Sequence, residues 1–169
     1  YVWMDELDKF LWNKGIIITY DGSQLTWAIQ YFKVKKGQKL CAGFGNSTMG
    51  YALSGSIGAS IAQKKNRVVC IDGDGSIQIN LQELHTIDKL KLPIKIFILN
   101  NNGYGIIKQF QGLYLNSRFE ATGKGVSNPN FKKIYDAFNI NDNLLKTQND
   151  IKRLKKKIIR KKTEIIKKK

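Results

Sequence analysis

Two short turns carry the residues whose types suit chemistry: Gly73-Asp74-Gly75-Ser76 and Asn100-Asn101-Asn102-Gly103-Tyr104-Gly105. Asp74 offers a carboxylate, Asn101 an amide oxygen and the Gly103 turn a backbone carbonyl. Magnesium takes a near-octahedral set of such hard oxygens, commonly a few protein groups completed by phosphate and water. Gly73, Gly75 and Gly103 let the backbone approach a phosphate closely. Ser76 opens a helix whose N-terminus favours negative charge. Either turn alone reads as an ordinary Asp-Gly or Asn-Gly turn. Both at one place read as a site for a divalent cation and a phosphate.

The elements around them decide whether they meet. Met4 to Asn13 has helical spacing at Met4, Leu7, Leu11 and Trp12. Ile16 to Tyr20 is a β-branched run that reads as a buried strand. Asp21-Gly22-Ser23 turns into a second helix through Trp27, Ala28 and Tyr31. Met49 to Ala62 is small and apolar, Arg67 to Ile71 a strand, Asn80 to Leu90 a helix and Ile94 to Leu99 a strand. Pro129 marks a loop from about Gly112 to Asn130, before a last helix from Phe131 to Phe138. Apolar strands alternating with helices predict an open, doubly wound α/β sheet, mainly parallel, with helices on both faces. In such sheets ligands bind outside the carboxyl ends of the strands. Asp74 and Asn101 are 27 residues apart. A helix of roughly 14 residues descends about 21 Å and a strand of about six returns about 20 Å, so both turns reach the same edge.

Gly73-Asp74-Gly75-Ser76, followed after a helix and strand by Asn100-Asn101, resembles the thiamine-diphosphate motif. That motif is a Gly-Asp-Gly ending in paired asparagines. The likeness runs from roughly Asp5 to Ile140 and is nearest to acetolactate synthase and its relatives. Segments such as Asp21 to Gln30 and Ser127-Asn128-Pro129-Asn130-Phe131 are similar to that family's. The resemblance implies Asp74, Asn101 and the Gly103 carbonyl as ligands of Mg2+. It implies Gly22, Ser23, Gln24, Ser47, Met49, Gly73, Gly75, Ser76, Asn101, Gly103, Tyr104 and Gly105 as the positions around thiamine diphosphate. Met49 matches the apolar residue under the bent cofactor. Ser47 and Thr48 replace a small Gly-Ala pair, Ser54 stands where a Pro is common, and Gly103 replaces a His. The implied activity is decarboxylation of a small 2-oxo acid, or ligation of the resulting carbanion to a second carbonyl. The glutamate that activates the cofactor belongs to a separate pyrimidine-binding domain or subunit, so no catalytic residue is expected in this chain. A cytoplasmic homo-oligomer is expected, with the chain a piece or one subunit of the enzyme.

Other phosphate-binding readings fail on residues. Gly45 to Gly50 has P-loop-like spacing, but Tyr51 stands where the Lys belongs. Gly43-Phe44-Gly45 lacks a third glycine. The sole histidine, His85, has no evident partner, and Glu83 and Glu120 are not matched to any role.

Composition sets the limits. The chain has 169 residues, 42% hydrophobic and 11% aromatic, enough for one domain with a core. Cys41 and Cys70 form no disulfide framework and read as reduced core residues. No stretch approaches the ~18 apolar residues of a membrane span, and no membrane partner is expected. The net charge is +16, and twelve of the 29 Lys and Arg residues lie between Lys146 and Lys169. Residues 1–145 are therefore read as the cofactor domain, and 146–169 as a basic tail, helical or frayed, that does not complete the sheet. Without aromatic residues that tail lacks a stacking platform, so nucleic acid is not expected. The alternative reading is a non-catalytic binding protein of the same fold that applies the tail to an anionic partner.

Overall fold

The computed structural model describes residues 2–11, 15–64, 66–123, 125–147, 149–150, 152–153, 158 and 163–168. Among them are strands β1 (Gly15–Thr19), β2 (Gln38–Ala42), β3 (Val68–Gly73), β4 (Ile94–Leu99), β5 (Asp142–Leu145) and β6 (Glu164–Lys168). They form one sheet in the order β2-β1-β3-β4-β6-β5. Every neighbouring pair is parallel. The helices are α1 (Val2–Phe10), α2 (Gly22–Tyr31), α3 (Tyr51–Ala62), α4 (Asp74–Ile77), α5 (Glu83–Leu90), α6 (Gly105–Tyr114) and α7 (Phe131–Ala137). This is the expected doubly wound α/β fold.

Strand side chains alternate between two cores because successive Cβ atoms point to opposite faces. Ile16, Ile18, Val68, Cys70, Ile94, Ile96 and Ile98 pack with Leu53, Ile87 and Phe131 on one face. Ile17, Val69, Ile71 and Phe97 pack with Met4, Leu7 and Ala28 on the other. Full burial of each such side chain stabilises by about 1.5–3 kcal/mol, which explains why the central strands are mostly apolar, with Asp72 and Lys95 as their buried charged residues.

The tail departs from expectation. Glu164 to Lys168 is not frayed: it enters the sheet as β6, between β4 and β5. Ile165 and Ile166 are both 0% exposed and supply one apolar residue to each core. Glu164 pairs in register with Lys95, and their charged groups lie 3.2 Å apart in the interior. Two buried isoleucines and one buried counter-charge suffice to seat a strand in a Lys-rich run.

Other corrections are smaller. A 3-10 turn, Gln78–Asn80, precedes α5, which starts at Glu83 rather than Asn80, and Leu90 is exposed. Cys70 is buried, but Cys41 is exposed, because β2 is an edge strand. α6 occupies residues that begin before the expected loop and overlap it. Trp12 and Asn13, the expected end of the first helix, lie outside the described residues. No helix among the described residues is long and apolar enough to cross a membrane.

Candidate functional site

A cavity of about 300 Å³ opens at the carboxyl ends of β1, β3 and β4. The chain runs from β1 outward to β2 and then back across to β3, so β1 and β3 flank the topological switch point. Three loops descend from these strands into α2, α4 and α6. They bring Gly22, Ser23, Gln24, Gly73, Asp74, Gly75, Ser76, Asn101, Gly103, Tyr104 and Gly105 to one cavity, joined by Met49 from the turn that leads into α3. Ser47 stands apart: it is not among the lining residues, and its hydroxyl donates to the Gly43 carbonyl at 3.2 Å. His85, Glu83 and Glu120 do not line the cavity either.

Asp74 is the first residue of α4 and is only 2% exposed. Its Oδ2 accepts the backbone N–H of Asn102 at 2.7 Å, so the two turns touch directly. Asn102 holds a left-handed backbone, φ 57°, that lets the turn fold back. Asn101 Oδ1 accepts the Gly103 N–H at 3.2 Å, which uses one of its two lone pairs. Gly75 is required by close approach, since a Cβ there would lie 2.4 Å from the Tyr104 ring.

Ser76 links this turn to Met49. Its Oγ accepts the Gly50 N–H at 2.9 Å, and the Gly50 carbonyl accepts Asn80 Nδ2 at 3.0 Å. Gly50 has φ 80°, and a Cβ there would meet Ile79 at 3.0 Å, so a side chain is strained as well as crowded. The loop is pinned at Gly50, and the Met49 side chain, only half-buried, faces the cavity.

Burial dominates the electrostatics. Asp72, on β3, is 0% exposed, and its carboxyl is pushed up to about 7 by loss of solvation. The Ser76 hydroxyl and the Gly73 N–H oppose that shift, and Asp21 adds to it. Burial also raises the Asp21 carboxyl, against a bond from the Gly22 N–H.

The donor set fits a hard cation. Asp74 offers a carboxylate, Asn101 an amide oxygen and Gly103 a backbone carbonyl, all from residues that line the cavity, and no cluster of three or more His, Cys, Asp or Glu exists among the described residues. Such a set leaves several coordination places to phosphate and water, as magnesium prefers.

Sequence reasoning missed Trp27, Leu99, Ile106 and Ile107 on the wall. It also missed Gln78 and Asn128 behind it. Gln78 Nε2 donates to the Asp74 carbonyl at 2.9 Å and to Asn128 Oδ1 at 3.0 Å, and Asn128 donates to Asp74 Oδ2. The Asn-Pro pair at Asn128 gave only a loop signal.

Fold and cavity together define a cofactor-binding α/β domain. The sequence family described as "Thiamine pyrophosphate enzyme, C-terminal TPP binding domain" matches residues 21–166, and the chain belongs to that family. Among curated relatives, the acetolactate synthase large subunit of Cyanidium caldarium is 37% identical over 87% of this chain and 25% of its own length. The mitochondrial acetolactate synthase of Schizosaccharomyces pombe is 38% identical over 81% of this chain and 21% of its own. The acetolactate synthase isozyme 2 large subunit of Escherichia coli (strain K12) is 35% identical over 74% and 23%. The chain thus spans about a quarter of the length of these relatives.

Proposed function

We propose that this chain supplies the diphosphate side of an acetolactate-synthase-like active site, with Asp74, Asn101 and the Gly103 carbonyl holding a magnesium ion. The observation that carries this reading is the meeting of the two turns: Asp74 accepts the Asn102 N–H, and both turns line one cavity. When bound, thiamine diphosphate supplies the carbanion chemistry by which a small 2-oxo acid loses carbon dioxide and its remainder passes to a proton or a second carbonyl. The residues of this chain bind and orient. Asp74 and the α4 N-terminus would hold ion and phosphate, Ser23 and Gln24 would meet the far end of the diphosphate, and Met49 would shape the cofactor above it.

A pyrimidine-binding domain or subunit completes the site in this reading, within a homo-oligomer. Ile106 and Ile107 line the cavity while being 45% and 44% exposed. Phe110, Leu113 and Tyr114 continue that apolar surface along α6 at 54%, 69% and 70% exposure. Large exposed apolar patches mark interaction sites, and this one is continuous with the cavity.

Calorimetry of thiamine diphosphate binding tests the assignment. Binding should need Mg2+ and be reversed by a chelator. Asp74→Ala should abolish it while the circular dichroism of the fold persists. An Asp74→Ala variant that binds as well as the parent overturns the site.

A further inference from the structure

Asn128 reaches the site from a segment 54 residues beyond Asp74 in the chain. Its amide is fixed in orientation by chemistry at its oxygen end. Gln78 Nε2 donates to Asn128 Oδ1 at 3.0 Å, and also to the Asp74 backbone carbonyl at 2.9 Å. An amide whose oxygen faces a donor turns its NH2 the other way. That NH2 donates to Asp74 Oδ2, and lies 2.9 Å from the Asn100 side-chain amide and 3.2 Å from Asn102 Oδ1. Asp74 Oδ2 also accepts the Asn102 N–H at 2.7 Å. That oxygen is thereby committed to two donors, and the Asn100 amide, oriented with its nitrogen inward, adds a third at 2.6 Å. The other, Oδ1, accepts no hydrogen bond among the described residues. Asp74 lines the cavity, and Oδ1 is the oxygen left for a ligand there.

We propose that Asn128 is a positioning residue for the Asp74 carboxylate, pinning Oδ2 to the Asn102 turn so that Oδ1 alone is presented to the cation. This rests on the reading that Asp74 takes a divalent ion together with a diphosphate. The carboxylate cannot rotate without breaking the bonds at Oδ2, of which Asn128 supplies one, so it meets the ion through one oxygen. Gln78 acts one step further back, by keeping the nitrogen of Asn128 aimed at the carboxylate. Partners that orient metal-binding carboxylates typically cost 10–100-fold in ion affinity when removed.

The test uses the full chain with thiamine diphosphate and Mn2+ as the probe ion, followed by electron paramagnetic resonance. The variants are Asn128→Ala and Gln78→Leu. Asn128→Ala should bind Mn2+ about 10–100-fold more weakly. The zero-field splitting of its bound ion should change, because a carboxylate that has lost one of its restraints at Oδ2 can turn further. Gln78→Leu should move both readouts the same way by less. The thermal midpoint of the ion-free protein reports stability separately, and a purely structural residue would move that alone. Should Asn128→Ala not fold, Gln78→Leu decides the question on the same readouts. A parent that binds Mn2+ beside variants with its affinity and spectrum overturns the role of Asn128. A parent that takes up no ion removes the ligand role of Asp74, and with it the positioning role.

Discussion

Asp72 shows how the site's surroundings tax the fold. Its Oδ1 accepts the Gly73 N–H at 2.9 Å, but its Oδ2 is buried without a partner among the described residues. Ionisation there is opposed chiefly by burial, which places its carboxyl at about 7. Below about pH 4 folded and unfolded chains both hold the proton, and Asp72 is neutral for stability. As pH rises through the interval up to about 7, the unfolded chain releases the proton while the folded one keeps it. Stability therefore falls across that window and levels off above it. Asp72→Asn carries no such proton, so its unfolding free energy relative to the parent should rise across the window by about 1.4 kcal/mol per pH unit. Urea unfolding at pH 4, 5.5 and 7 checks this, and a difference that ignores pH would mean the folded carboxylate is already charged. A carboxylate whose pKa was displaced this way was not visible in the sequence. Asp72-Gly73-Asp74 reads as two acids in one turn, and only the strand register shows that the first points into the core.

At the scale of elements, β6 depends on one ion pair. Lys95 is 0% exposed in the second central strand, and Glu164 is its register partner and its buried counter-ion. Removing one member strands the other charge in the interior, which typically costs about 3–5 kcal/mol. Glu164→Gln should lower stability by roughly that amount in guanidinium unfolding. Replacing both together, Lys95→Met with Glu164→Leu, should restore most of it. A Glu164→Gln variant as stable as the parent would show that the pair does not seat the strand. The fold was most legible where apolar runs were pure, as in Ile16–Ile18, Val68–Ile71 and Ile96–Leu99, whose burial leaves no choice of face. It was least legible where long-range pairing overrides local pattern. Gln38 to Ala42 mixes charge with apolar residues because it is an edge strand, partly open to solvent. Glu164-Ile165-Ile166 offers only two apolar residues within a lysine run. The turns of the site were legible because glycine, aspartate and asparagine at fixed spacing have few other uses, whereas Asn128 acts through contacts no spacing rule predicts.

For the whole molecule, the distribution of residues around the cavity bears on what the chain does alone. No glutamate is among the described residues that line it. The chain saturated with thiamine diphosphate and magnesium should therefore exchange the thiazolium proton slowly and turn over no 2-oxo acid. Adding a pyrimidine-binding partner should accelerate exchange before turnover appears. Proton exchange followed by NMR makes the comparison, and fast, magnesium-dependent exchange without a partner would place the activating group in this chain.

The position of β6 also orders events in time. β5 is synthesised before the strand that must separate it from β4, and the Lys95–Glu164 match closes a loop of 69 residues. Closing so long a loop is slow compared with forming local contacts. Until it closes, β4 offers an unpaired parallel edge to whatever strand arrives first. A β5 that docks there early occupies the slot of β6 and has to let go before the sheet can finish. The same insertion that sets a buried ion pair between two strands of the mature sheet thus leaves the nascent one an open slot for the wrong strand.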